Sequence, residues 1–194
     1  MATQPQHLFS PEEYVALEQR LGVKHEYHAG QVFAMAGGSG PHSRLQINLA
    51  VEVDTRLRGT SCTTYSADFR VVVESADLAT YPDLTIVCGP LQRSKAFKHS
   101  CTNPTVLIEV LSPSTERYDR GAKFMQYRKL GSLREYVLVS QREAAAEVFR
   151  LENGHWVLYE SRGDGAVLSL SSAGIEIPLR DLYRNVPFDD AEEG

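Results

Sequence analysis

The chain has 194 residues, enough to bury the core of one domain without requiring a second, so residues 1–194 are read as a single domain. Its 42% hydrophobic and 23% charged residues, with a mean hydropathy of -0.28, exclude disordered and membrane-embedded classes. A net charge of -5 and a pI near 5.7 exclude a protein that coats nucleic acid through a broad basic face, because such binding works by neutralising phosphates. They leave room for a cluster of carboxylates around a bound cation.

No run approaches the roughly 18 apolar residues of a transmembrane helix, and the first residues carry neither a basic region nor an apolar export core. No membrane association and a cytoplasmic location are therefore expected. Cys62, Cys88 and Cys101 are odd in number, widely spaced and without a C-x-x-C pair, which predicts reduced thiols in or near the core.

Ser10, Pro11 and Glu13 give a helix start by cap, first-turn proline and capping box, and the helix should reach about Leu21. Lys24 to Met35 alternates as a hairpin turning at Ala29-Gly30. Gly37 to Pro41 reads as a loop, too loose for a phosphate cradle because no Gly-Lys-Ser/Thr comes after it. Leu45, Leu49, Val53 and Leu57 then mark the buried face of a second helix ending near Gly59.

Short β-rich runs come next at Thr63 to Tyr65, Phe69 to Val73, Leu84 to Val87 and Val106 to Leu111. Ser114 or Thr115 is expected to cap a third helix running to about Lys129, with Gly131 left-handed at its end. Glu135 to Val139 returns to strand, and the tail adds short strands, among them a peripheral one around Trp156, and a helical turn near Leu179 to Tyr183. The fold class is α/β, a mixed central sheet flanked by helices.

Glu109 carries the most information, because the apolar residues on both sides of it in Val106 to Leu111 predict burial. A buried carboxylate costs several kcal/mol unless it is paired or bound to metal. Asp83 opens a second apolar strand directly after Pro82. Two carboxylates on adjacent strands can share a hard cation through oxygen, and such a cation suits phosphodiester hydrolysis.

Taken together, Glu26-Tyr27 with Gly30, His42, Tyr81-Pro82-Asp83, Asn103-Pro104, Ile108 to Thr115, Asp119-Arg120, Lys123-Phe124, Tyr127 and Glu135 to Val139 resemble one family in order and spacing. It is the Uma-type family of restriction-endonuclease-like proteins, within the PD-(D/E)XK nuclease superfamily. The resemblance covers most of the chain. It implies a restriction-endonuclease-like core with Asp83, Glu109 and the carbonyl of Val110 as ligands of Mg²⁺ or Mn²⁺, and Glu26 approaching the same cation. It further implies a DNA substrate and a homodimer. The superfamily's usual lysine, two residues after the glutamate, is absent, since that position is Leu111. Lys123 on the following helix is the candidate replacement, to activate water or stabilise charge, with His42, Gln126 and Tyr127 in support.

Each piece also has a plainer reading. Pro82-Asp83 alone suits a turn, Asp119 and Lys123 alone suit a surface ion pair, and His42 could simply face solvent. His25-Glu26-Tyr27-His28 has the wrong spacing for a zinc protease helix. Ser112, Ser114 and Thr115 cap a helix more naturally than they attack, as no nucleophile elbow surrounds them. Two rivals to a DNA endonuclease stand: a catalytically degenerate module that binds nucleic acid or protein, and a hydrolase of RNA or another phosphodiester.

Overall fold

Ser10 caps the first helix, α1 (Pro11–Leu21), with its hydroxyl accepting from the Glu13 amide at 3.2 Å while the Glu13 carboxylate takes the Ser10 amide at 2.7 Å. The structure, a computed structural model, describes residues 7–35 and 37–188. Gly22 ends α1 in the left-handed region. The hairpin of β1 (His25–His28) and β2 (Gln31–Ala34) turns at Ala29 and Gly30, both at positive φ as a tight hairpin turn requires.

The second helix, α2 (Gly40–Leu57), starts earlier than the sequence suggests. Ser39 is its cap, and Gly40 and Pro41 form its first turn instead of a loop, because proline needs no amide partner there. The remaining elements are β3 (Cys62–Ser66), β4 (Arg70–Val73), β5 (Leu78–Thr80), β6 (Leu84–Cys88), β7 (Ser100–Cys101) and β8 (Val106–Leu111). After these come α3 (Glu116–Tyr118), a π-helical turn (Asp119–Lys123), α4 (Phe124–Tyr127), β9 (Glu135–Ser140), β10 (Ala145–Glu152), β11 (His155–Arg162), β12 (Val167–Leu170), β13 (Ile175–Pro178) and α5 (Leu179–Leu182).

A six-stranded sheet runs in the order β11-β10-β9-β8-β6-β3, with β8 and β9 parallel and its other pairs antiparallel. A five-stranded sheet, β2-β1-β5-β4-β7, lies beside it. The two-residue alternation of β8 divides the core. Val106, Ile108 and Val110 face the stripe of Leu45, Leu49, Val53 and Leu57 on α2, while Leu107 and Leu111 pack with Phe124, Tyr127 and Tyr136. That second cluster also takes Val71, Val73 and Leu78 from the five-stranded sheet, so the helix after β8 is wedged between both sheets.

The third helix departs from expectation at both ends. Thr115 stands at its start without capping through its side chain, and the Ser112 hydroxyl accepts the Thr115 amide instead. Gly131 is not left-handed, because the Leu130 amide closes the turn on the Tyr127 carbonyl first.

The cysteines also depart from expectation. Cys62 and Cys88 are directly opposed across β3 and β6 and form a disulfide, so two of the expected thiols are oxidised. Only Cys101 stays free, buried, with its thiol pushed up to about 11 by burial. A disulfide persists where the surroundings are oxidising. Reduction is expected to lower stability by about 2–4 kcal/mol, the usual range for a closed loop of this order. Thermal melts with and without a phosphine reductant check it, and Cys62→Ala/Cys88→Ala should match the reduced wild type.

Candidate active site

Antiparallel pairing sets Leu84 of β6 opposite Ile108 of β8, and extending that register by one residue puts Asp83 beside Glu109. Asp83 sits where the chain enters β6, so its side chain can turn back over the end of β8. Its Oδ2 accepts the Val110 amide at 2.6 Å, and its Oδ1 accepts Gln46 Nε2 at 2.6 Å. His42 Nε2 lies 3.4 Å from Oδ2. His42 and Gln46 are one helical turn apart on α2 and hold the carboxylate from the same side.

Burial works against an ionised Asp83, but His42, the Val110 amide and Gln46 outweigh it and hold the carboxyl below the ordinary range. The same pair raises His42 in spite of its own burial. His42 Nδ1 is buried with no protein partner. A Cβ added at Gly38 would come within 2.8 Å of that nitrogen. Gly38→Ala should therefore displace the ring and loosen Asp83, which predicts about a tenfold loss in whatever activity the site supports. The companion Gly37→Ala meets nothing within 4 Å and serves as the control in the same assay.

Glu109 lies on the opposite face of β8 from Val110 and is buried, with 4% exposure. Its Oε1 accepts the Tyr127 hydroxyl at 2.8 Å and lies 2.8 Å from Lys123 Nζ, which also reaches Asp119 at 3.2 Å. Desolvation, with Asp119 and Asp83 adding repulsion, pushes the Glu109 carboxyl up to about 8 although Lys123 pulls it down. Burial acts to lower Lys123, but Glu109, Asp119 and Glu26 together hold it above the ordinary lysine value. Lys123 is therefore a fixed cation.

The π-helical turn makes this delivery possible. A uniform α-helix rotates residues spaced by four steadily around its axis; the wider turn at Asp119–Lys123 offsets that drift, so Asp119, Lys123 and Tyr127 all end up buried on one side.

Glu26 reaches the same cavity from the five-stranded sheet. Its Oε2 accepts the Thr80 hydroxyl at 2.8 Å, and Tyr118 donates its hydroxyl to Oε1. Glu26, Asp83, Glu109, Val110, His42 and Lys123 all line one cavity of about 720 Å³. Tyr127 buttresses Glu109 from below. Gln126 is not brought in: its side chain accepts Lys129 Nζ at 2.7 Å on the outer face of α4. Three residues that sequence reasoning left out belong here: Gln46, Tyr118 and Thr80. Only Gln46 had a signal, its spacing of four from His42.

Among the described residues no three His, Cys, Asp or Glu side chains converge tightly enough to chelate an ion by themselves. A cation would instead take the Asp83 and Glu109 carboxylates, with the Val110 carbonyl and waters as the remaining oxygens. That suits Mg²⁺, which keeps several waters and is commonly held by one or two carboxylates. The donor set fits: it is all oxygen, and Glu109 carries a repulsive burden that one added positive charge would lift.

A protein-family model described as "Uma2: Putative restriction endonuclease" matches residues 11–180. In Synechocystis sp. (strain ATCC 27184 / PCC 6803 / Kazusa), the uncharacterized protein slr1290 is 34% identical over 180 residues, covering 92% of this chain and 93% of its own length. The uncharacterized protein sll1609 of the same organism is 28% identical over 160 residues, covering 82% and 90%. A crystal structure titled as a putative nuclease belonging to DUF820, from Anabaena variabilis ATCC 29413, superposes with a TM-score of 0.73 at 18% identity. It covers 90% of this chain and 97% of that one, and shows that the two share a fold.

Proposed function

The chain belongs to the Uma2 family, and on that premise we propose that it is a metal-dependent endonuclease that hydrolyses DNA phosphodiester bonds. The observation that carries this reading is the buried Glu109 beside Asp83, with the protonated Lys123 amine 2.8 Å from its carboxylate. A Mg²⁺ or Mn²⁺ ion held there would polarise the phosphoryl group and acidify a water. In the hydrolysis, water adds to phosphorus and one P–O ester bond breaks.

Asp83 is prepared for this role, since His42, Gln46 and the Val110 amide keep it ionised and fixed. Lys123, which stays protonated, cannot accept a proton from water. Its part is to stabilise the negative charge that develops on the phosphoryl oxygens, as the strand lysine does elsewhere in the superfamily. Glu26, tied by Thr80 and Tyr118, lines the same cavity and orients water or the far side of the cation shell. A homodimer, each protomer cutting one strand, is proposed by analogy with the superfamily.

The test is cleavage of supercoiled, linear and single-stranded DNA with Mg²⁺ or Mn²⁺ by wild type, Asp83→Ala and Glu109→Ala, with calorimetric cation binding on the same samples. Cation-dependent nicking lost in both variants supports the nuclease. Cation binding without cleavage of any nucleic acid turns the reading to a binding module, and cleavage of RNA alone moves the substrate.

A further inference from the structure

We infer that the cavity takes a single unstacked nucleotide of a DNA strand, with Phe33 as the platform on which its base stacks. This rests on the nuclease reading and narrows its substrate to DNA that is single-stranded or locally unpaired at the cut. Sheet register is the starting point. Phe33 on β2 is directly paired with Glu26 on β1, and Glu26 is held by Thr80 on β5, so these three side chains stand in a row on one face of the five-stranded sheet.

Glu26 lies inside the cavity, which places Phe33 at its mouth, where the ring is 48% exposed. One exposed aromatic is ordinary on a protein surface. Here, however, Val23, 52% exposed, and Met35 line the same cavity beside Phe33 and make one of its walls apolar. That wall has no use in hydrolysis and shares the cavity with the carboxylates that have one.

The burial of Glu109 dictates what must enter. A phosphate can reach it only from inside the cavity, bringing its sugar and base along. A volume of about 720 Å³ suits a nucleotide-sized ligand, not a stacked and paired duplex. Charge points the same way. Glu26, Asp83, Glu109 and Asp119 line the cavity against Lys24 and Lys123, and Lys24 is already engaged by Asp68 at 2.9 Å. Beyond the one phosphate a bound cation would take, so little free positive charge is left that phosphate contacts cannot supply the affinity, and base stacking on an aromatic face can.

The experiment uses the full chain with Ca²⁺, as a cation that permits binding without turnover, and a short DNA oligonucleotide carrying 2-aminopurine. Wild type should change the 2-aminopurine emission and bind the single strand more tightly than the paired duplex. Phe33→Ala should weaken single-strand binding roughly 10- to 100-fold, the range a lost base stack gives, and remove the emission change. Phe33→Tyr should retain both, and equal melting temperatures for the three proteins exclude misfolding. Single-strand binding and emission that are indifferent to Phe33→Ala would overturn the inference, as would preference for continuous duplex or binding of the RNA counterpart alone. Because the readout is binding, it stands apart from cleavage: a chain that cuts nothing defeats the nuclease reading, and one that cuts but ignores Phe33 defeats only this inference.

Discussion

Replacing Glu109 by glutamine is expected to lower cation-dependent cleavage by about 10³-fold, or ~4 kcal/mol of barrier, while leaving the fold intact. The amide preserves shape and still accepts from Tyr127, but it cannot offer a charged oxygen to a cation. The effect on stability depends on pH in a way that identifies the group. In the folded chain the Glu109 carboxyl is pushed up to about 8, against about 4.3 for an ordinary glutamate. A raised folded value favours folding most below the unfolded value, and that contribution is lost as pH rises through about 8.

Metal-free wild type should therefore lose stability from mildly acidic pH up to about pH 8, whereas Glu109→Gln should show no such slope and become the more stable of the two as pH rises toward 8. Cation binding needs the ionised carboxylate, so wild-type affinity should climb with pH up to about 8. Urea unfolding and calorimetry across pH 6 to 9.5, with cleavage assayed alongside, decide the matter. Wild-type turnover in Glu109→Gln would remove it from the metal site.

Lys123→Met carries the second large effect, and here stability and activity respond differently to the cation. The thioether fills a similar volume, but Glu109 and Asp119 lose the ammonium 2.8 and 3.2 Å away. Breaking a buried pair from one side costs about 3–5 kcal/mol, less below about pH 8 where Glu109 carries a proton. Mg²⁺ should restore most of that stability, because it supplies the positive charge the carboxylates lack. It should not restore cleavage, which is expected to stay about 10²-fold down for want of the group that faces the developing phosphoryl charge. Turnover at the wild-type rate would show that Lys123 is only a structural counter-ion.

Glu109 was legible from sequence because a carboxylate inside Val106 to Leu111 must be buried whatever the fold around it, and the structure buries it. The start of α1 was legible because every signal for it is local. Strands β5 and β7 went unseen, since three and two residues are too few to show a period. The disulfide went unseen for a different reason: Cys62 and Cys88 meet only through the pairing register of β3 and β6, and spacing along the chain says nothing about it. Tyr118 and Glu26 are 92 residues apart, and their contact depends on how the helix after β8 is wedged between two sheets. Gln126 looked as eligible as Tyr127 until the helical phase was fixed, and the π-helical turn fixes it.

That one widened turn gives the protein a tolerance of chain length beside its site. Five residues in a π-helical turn advance through about the angle that four take in an even α-helix, so losing one, Gly121 for instance, would let the helix wind evenly with the residues on either side still in phase. Phe124 and Tyr127 would keep their seats in the core, and Tyr118 would still face the cavity. Even winding of the full-length segment is what would turn Tyr118 away, so a frame-preserving loss of three bases here is gentler than a substitution that straightens the turn without shortening it.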